Sequence, residues 1–96
     1  MLANGGEGAV VTDGPQRLLL QEADGRLRRY AYGEMGMGGD SLRIGAFETK
    51  LSNIAGLEIF RKNILQFTLR DGHRFQTEPS RGFCALKYRD LYRIIE

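Results

Sequence analysis

The chain has one cysteine, one histidine, two prolines and no tryptophan, and its charges nearly cancel. With Cys84 alone, neither an internal disulfide nor a cysteine-based metal cluster can form, which suits a reducing cytoplasmic compartment. With His73 alone, a histidine-rich metal site is excluded, and no Asp-x-Asp cluster stands in for one. No metal and no cofactor are expected. Fourteen basic residues face twelve acidic ones, so attraction to nucleic acid or anionic lipid has to come from a local patch rather than from the net charge of +2. Apolar runs fall well short of the roughly 18 residues of a spanning helix, so no transmembrane segment is expected. The stretch Met1 to Gly8 has neither the basic start nor the apolar centre of a secretory signal. Carboxylates are scattered singly, none paired for acid–base work, and enzyme activity is not expected.

What remains is an ordinary composition for one domain of 96 residues, 42% hydrophobic and 27% charged. A chain of this size buries roughly 60–65% of the surface its unfolded form exposes, enough for one modest core. Eleven of the fourteen basic residues are Arg, a skew that suits phosphate or carboxylate contacts and that a GC-rich coding bias produces equally.

Two Asp-Gly pairs, Asp24-Gly25 and Asp71-Gly72, sit between alternating apolar segments, a strong local signal for β-hairpins. Side-chain facing decides the turn. A two-residue loop at Asp71-Gly72 sets Phe67 opposite Gln76 and mixes the faces. A three-residue loop, Arg70-Asp71-Gly72 with Gly72 as a bulge, sets Phe67 opposite Phe75 and keeps the apolar set together. The same turn at Ala23-Asp24-Gly25 pairs Glu22 with Arg26 and aligns Leu18 with Tyr30.

The pattern along the chain predicts seven short strands. They cover Gly8 to Thr12, Pro15 to Leu20, Arg26 to Tyr32, Leu42 to Phe47, Ile54 to Phe60, Ile64 to Leu69, and His73 to Thr77. Residues 1–7 read as a flexible N-terminus and 8–77 as the antiparallel β region. Gly33 to Asp40, rich in glycine, reads as a mobile loop without the features of a phosphate-binding loop. Residues 81–95 read as an amphipathic helix, with Ser80 as N-cap and Asp90 pairing with Lys87 or Arg93. A strand has some support there too, because the even positions from Cys84 to Ile94 are apolar apart from Asp90. The fold class is therefore mainly β, a seven-stranded antiparallel bent sandwich or small barrel closed by one C-terminal helix.

That plan, and the stretch from Leu51 to Gly72 in which an isoleucine introduces a strand, a short turn and a second strand running to Asp-Gly, resembles bacterial pleckstrin-homology-like domains. The likeness covers about Phe47 to Ile95 and implies that the helix plugs one end of a bent sheet. Leu91, Ile94 and Ile95 would form the plug, with Tyr88 and Tyr92 at its margin. Phosphoinositide-binding members carry a basic residue followed by a basic-x-basic triplet near the first hairpin, and Arg17 with Arg26-Leu27-Arg28 is loosely similar. The chain departs from that pattern at Arg29, where an apolar residue is usual, and in reading this hairpin as the second connection.

Two surfaces stand out as candidate sites. Arg17, Arg26, Arg28 and Arg29 form the densest basic cluster, with Tyr30 or Tyr32 available for stacking. The structural alternative is a solvated strand face with Arg26 paired to Glu22. Met35 and Met37 in the glycine-rich loop would supply adaptable apolar contacts to a partner. His73 with Cys84 as base and nucleophile is weighed against Cys84 as a small buried filler on the helix face, and the filler is favoured. The resulting expectation is a non-catalytic binding or assembly module for a protein partner or a second copy. One route is pairing along an exposed edge near Leu42 to Phe47. The alternative is a phosphate-bearing ligand, anionic lipid or nucleic acid, held by the Arg cluster.

Overall fold

The computed structural model describes residues 10–61 and 63–95. The expected flexible N-terminus, 1–7, lies outside the described residues, as does the start of the first expected strand.

Among the described residues, seven antiparallel strands form one unclosed sheet in the order β4-β3-β2-β1-β7-β6-β5. The strands are β1 (Val10–Gln21), β2 (Leu27–Gly38), β3 (Ser41–Ile44), β4 (Phe47–Lys50), β5 (Ile54–Phe60), β6 (Ile64–Leu69) and β7 (Arg74–Thr77), followed by helix α1 (Ala85–Ile95). Strand β1 links the two halves: along its length it pairs with β2, and from Leu18 to Gln21 it also pairs with β7. Leu18, Met35, Met37, Leu42 and Ile44 from one half and Leu65, Phe67, Leu69 and Phe75 from the other share a single core. The sheet therefore bends over on itself. Among the described residues no helix is long and apolar enough to cross a membrane.

The strand count matches the expected seven, but the strands are drawn differently. The first two expected strands are one, because Asp13-Gly14-Pro15 is a bulge within β1 rather than a turn. The expected mobile loop is the second half of β2. Met35 and Met37 alternate with Gly36 and Gly38, and this period of two sends both methionines inward, where they are 2% and 1% exposed. Burying each contributes about 1.5–3 kcal/mol, so they belong to the core and are lost as partner contacts. Only Gly39 and Asp40 remain as the turn into β3. The expected strand Leu42 to Phe47 is two strands, β3 and the start of β4, split at Gly45. Gly45 has φ +60, and a Cβ there would strike the Tyr32 carbonyl. Since β3 lies between β2 and β4, Leu42 to Ile44 of the segment expected to be an open edge is interior, and only Phe47 lies on an edge strand; among the described residues the edges are β4 and β5.

Both Asp-Gly hairpins take the three-residue bulged turn. Glu22 N–H donates to Arg26 O and Gly25 N–H to Glu22 O; Leu69 N–H donates to His73 O and Gly72 N–H to Leu69 O. Gly25 (φ +91) and Gly72 (φ +99) occupy the left-handed position that this turn needs. Phe67 sits opposite Phe75 with their rings stacked at 5.4 Å. The first hairpin slips further from its turn, however. Leu19 pairs with Arg29 and Leu18 with Ala31, leaving Tyr30 as an extra residue, so Leu18 does not face Tyr30.

The tail is helical, starting at Ala85 rather than 81. Ser80 contributes its backbone oxygen to Phe83 N–H and not a side-chain cap. Ala85, Tyr88, Leu91 and Tyr92 face the core, with Phe83 packed at 5.6 Å from the Tyr88 ring. Ile94 is 78% exposed, so it is no part of the plug, and the side chain of Ile95 lies outside the described residues. The two tyrosines expected at the margin are instead its centre. Tyr88 donates to Asp13 Oδ2 at 2.7 Å and Tyr92 to Ile54 O at 3.3 Å. Burial, then the Asp13 contact, pushes the Tyr88 ionisation far above its ordinary range. Lys87 pairs with Asp13 at 3.0 Å, and Asp90 pairs with its neighbour Arg89 rather than with Lys87 or Arg93. Cys84 is exposed just before the helix, not buried on its apolar face.

Candidate functional site

The two Asp-Gly loops are built alike. In each, one Asp oxygen accepts from the backbone N–H two residues on, Asp24 from Arg26 at 3.0 Å and Asp71 from His73 at 2.9 Å. The other oxygen then takes that residue's side chain, Arg26 Nε at 2.7 Å and His73 Nδ1 at 2.9 Å. The backbone bond, followed by the side-chain bond, holds both carboxyls below their usual range. The second loop is also braced from outside. Arg70 Nε donates to Ser52 O at 2.7 Å, and Arg70 N–H to Asn53 O at 2.9 Å.

These loops lie side by side because β1 pairs with β7. The rung Gln21–Arg74 is the last between them, and past it the loops part. A cleft of about 640 Å³ opens there, lined by Leu20, Gln21, Glu22, Ala23 and Arg28 from the first hairpin. Asp71, Gly72, His73 and Arg74 form its other wall. Glu22 Oε2 accepts from Arg28 Nε at 3.1 Å, and Asp71 holds His73. Arg74 alone among the charged lining residues has no ion-pair partner among the described residues.

The four arginines singled out in the sequence do not form one cluster. Paired residues share a sheet face, so Arg29, opposite Leu19, and Arg17, opposite Tyr32, lie on the outer face, while Arg28, opposite Leu20, lies on the core side. Three of the four are also matched by acids. Arg17 pairs with Glu78 and rests over the Tyr32 ring at 5.5 Å, Arg26 pairs with Asp24, and Arg28 pairs with Glu22. The anticipated Arg26–Glu22 pair is thus replaced by two others. Exposed pairs of this kind contribute only about 0–1 kcal/mol to stability, yet an incoming phosphate must compete with carboxylates already in place.

Of the seven candidate residues, only Arg28 lines the cleft. Tyr30, half-exposed, packs edge-on to Phe75 at 5.1 Å and Phe47 at 5.9 Å, an aromatic link from the core to the surface. Sequence reasoning missed Glu22, Asp71, His73 and Arg74 as a group. The available signal is the repeated Asp-Gly turn, which by itself speaks only for the fold. No family model, curated protein or solved structure matches the chain.

Proposed function

We propose that the chain is a non-catalytic binding module whose seat for a protein partner is the cleft between the two Asp-Gly hairpins. The observation that carries this reading is the charge arrangement of that cleft. Glu22 is paired with Arg28 and Asp71 bonds His73, while Arg74 has no ion-pair partner among the described residues. Carboxylates and guanidinium groups together on one rim suit a polypeptide surface, which presents both signs itself, better than a uniform polyanion. The resemblance to pleckstrin-homology-like domains is retained as part of the same proposal, on the residue pattern from Phe47 to Ile95. A cytoplasmic setting accords with the single unpaired Cys84.

Affinity capture from the native host tests the reading. Ala23 is exposed and lines the cleft, so Ala23→Trp fills it without touching the core. A partner retained by the wild type and by Arg26→Ala, but lost with Ala23→Trp, is the expected result. Retention by the wild type and both variants sinks the reading. An anionic ligand is the second reading, favoured by Arg74, which has no ion-pair partner among the described residues; binding that collapses between about 50 and 200 mM salt would select it.

A further inference from the structure

Arg74 borders a second hollow as well. On the outer face of β5, β6 and β7 a dent of about 250 Å³ is lined by Gly56, Glu58, Phe60, Gln66, Thr68 and Arg74. Its floor is open because of Gly56, where an added Cβ would meet nothing within 4 Å. Arg74 stands in line with Thr68 and Gly56, and Glu58 in line with Gln66 and Gln76. The two charges are therefore diagonal, two strands and two residues apart. At ~4.8 Å per strand and ~3.4 Å per residue their Cα atoms lie ~12 Å from each other. Among the described residues neither has an ion-pair partner, and the side chains of Gln66 and Thr68 make no hydrogen bond. Phe60 adds a half-exposed aromatic ring at one side.

We infer that this dent binds an extended peptide segment carrying a carboxylate and, three or four residues away, an ammonium or guanidinium group. The spacing follows from the geometry, since an extended chain advances ~3.4 Å per residue and so crosses ~12 Å in three to four steps. The carboxylate meets Arg74, whose planar fork suits bidentate contact. The cation meets Glu58, while the amide of Gln66 and the hydroxyl of Thr68 serve the peptide backbone between them. The inference rests on the binding-module reading, because Arg74 joins this dent to the cleft between the hairpins.

The test is a titration of the full chain with capped peptides, followed by backbone amide NMR shifts. The probes are acetyl-Asp-Ala-Ala-Lys-amide, the neutral control acetyl-Asn-Ala-Ala-Gln-amide, and acetyl-Asp-Lys-Ala-Ala-amide with its charges adjacent. The first should give saturable shifts at residues 56–60, 66–68 and 74, and the other two should bind at least about tenfold more weakly. Gly56→Val, which fills the dent with a strand-forming side chain, and Arg74→Gln at the exposed surface should each weaken the first probe at least about tenfold. Equal binding of all three probes overturns the inference, as does the absence of any shift. Shifts confined to residues 22–23 and 71–73 overturn it too, while leaving the cleft as the binding seat.

Discussion

Removing one hydroxyl tests how the helix is held to the sheet. Tyr88 is fully buried, and its oxygen lies 2.7 Å from Asp13 Oδ2. A hydrogen bond to a charged group contributes about 1.5–3 kcal/mol. Asp13 keeps Lys87 at 3.0 Å after the change, so the low end applies and Tyr88→Phe should cost about 1.5–2 kcal/mol. In urea, at a slope of about 2 kcal/mol/M, the midpoint should fall by about 0.8–1 M with the slope unchanged. Lys87→Met removes a half-exposed partner and should cost less, about 0–1 kcal/mol. The same contact predicts the alkaline behaviour. Burial raises the ionisation of Tyr88 in the folded chain, so its proton is held more tightly there than in the unfolded chain. Its share of the stability is complete below the unfolded tyrosine value of about 10 and is lost as pH rises beyond it. Wild-type stability should therefore fall more steeply above about pH 10 than that of Tyr88→Phe. A variant within about 0.5 kcal/mol of wild type, with the same alkaline slope, would refute the reasoning.

Other perturbations separate strain from packing and check the helix start. Gly39 and Gly45 both have φ +60, but only at Gly45 would a Cβ meet backbone, at the Tyr32 carbonyl. Gly39→Ala should cost about 1 kcal/mol and Gly45→Ala clearly more, about 2–4 kcal/mol, by urea unfolding; equal costs would refute the close approach. Cys84, exposed ahead of the helix, should react with a thiol reagent in the folded protein without unfolding. Reaction only on unfolding would contradict where the helix begins.

What the sequence made legible was governed by local rules. The bulged turns at Gly25 and Gly72, the Phe67–Phe75 pairing and the helical tail all follow from short-range sterics and face consistency. The errors arose where a local rule met a longer-range one. Glycine content suggested a loop at residues 33–40, while the alternation of Met35 and Met37, answered by Leu42 and Ile44 on the facing strand, made a buried hairpin. Asp13-Gly14-Pro15 looked like a turn, yet β1 continues through it as a bulge. Periodicity places Cys84 and Ile94 on one broad apolar face with Tyr88, Leu91 and Tyr92, but contact with β1, β5 and β6 buries only its middle and leaves Cys84 and Ile94 exposed. The site was the least legible part. It depends on β1 meeting β7, which joins residues more than fifty positions apart, so nothing near Glu22 announces Arg74.

Hydrogen exchange on the captured complex would locate the binding seat proposed between the two Asp-Gly hairpins. Amide exchange should slow at residues 21–23 and 71–74 when the partner is bound, with the exposed side of the helix unchanged. Unchanged exchange at both hairpin tips, with protection appearing on the helix or along the β4 or β5 edge, would contradict it.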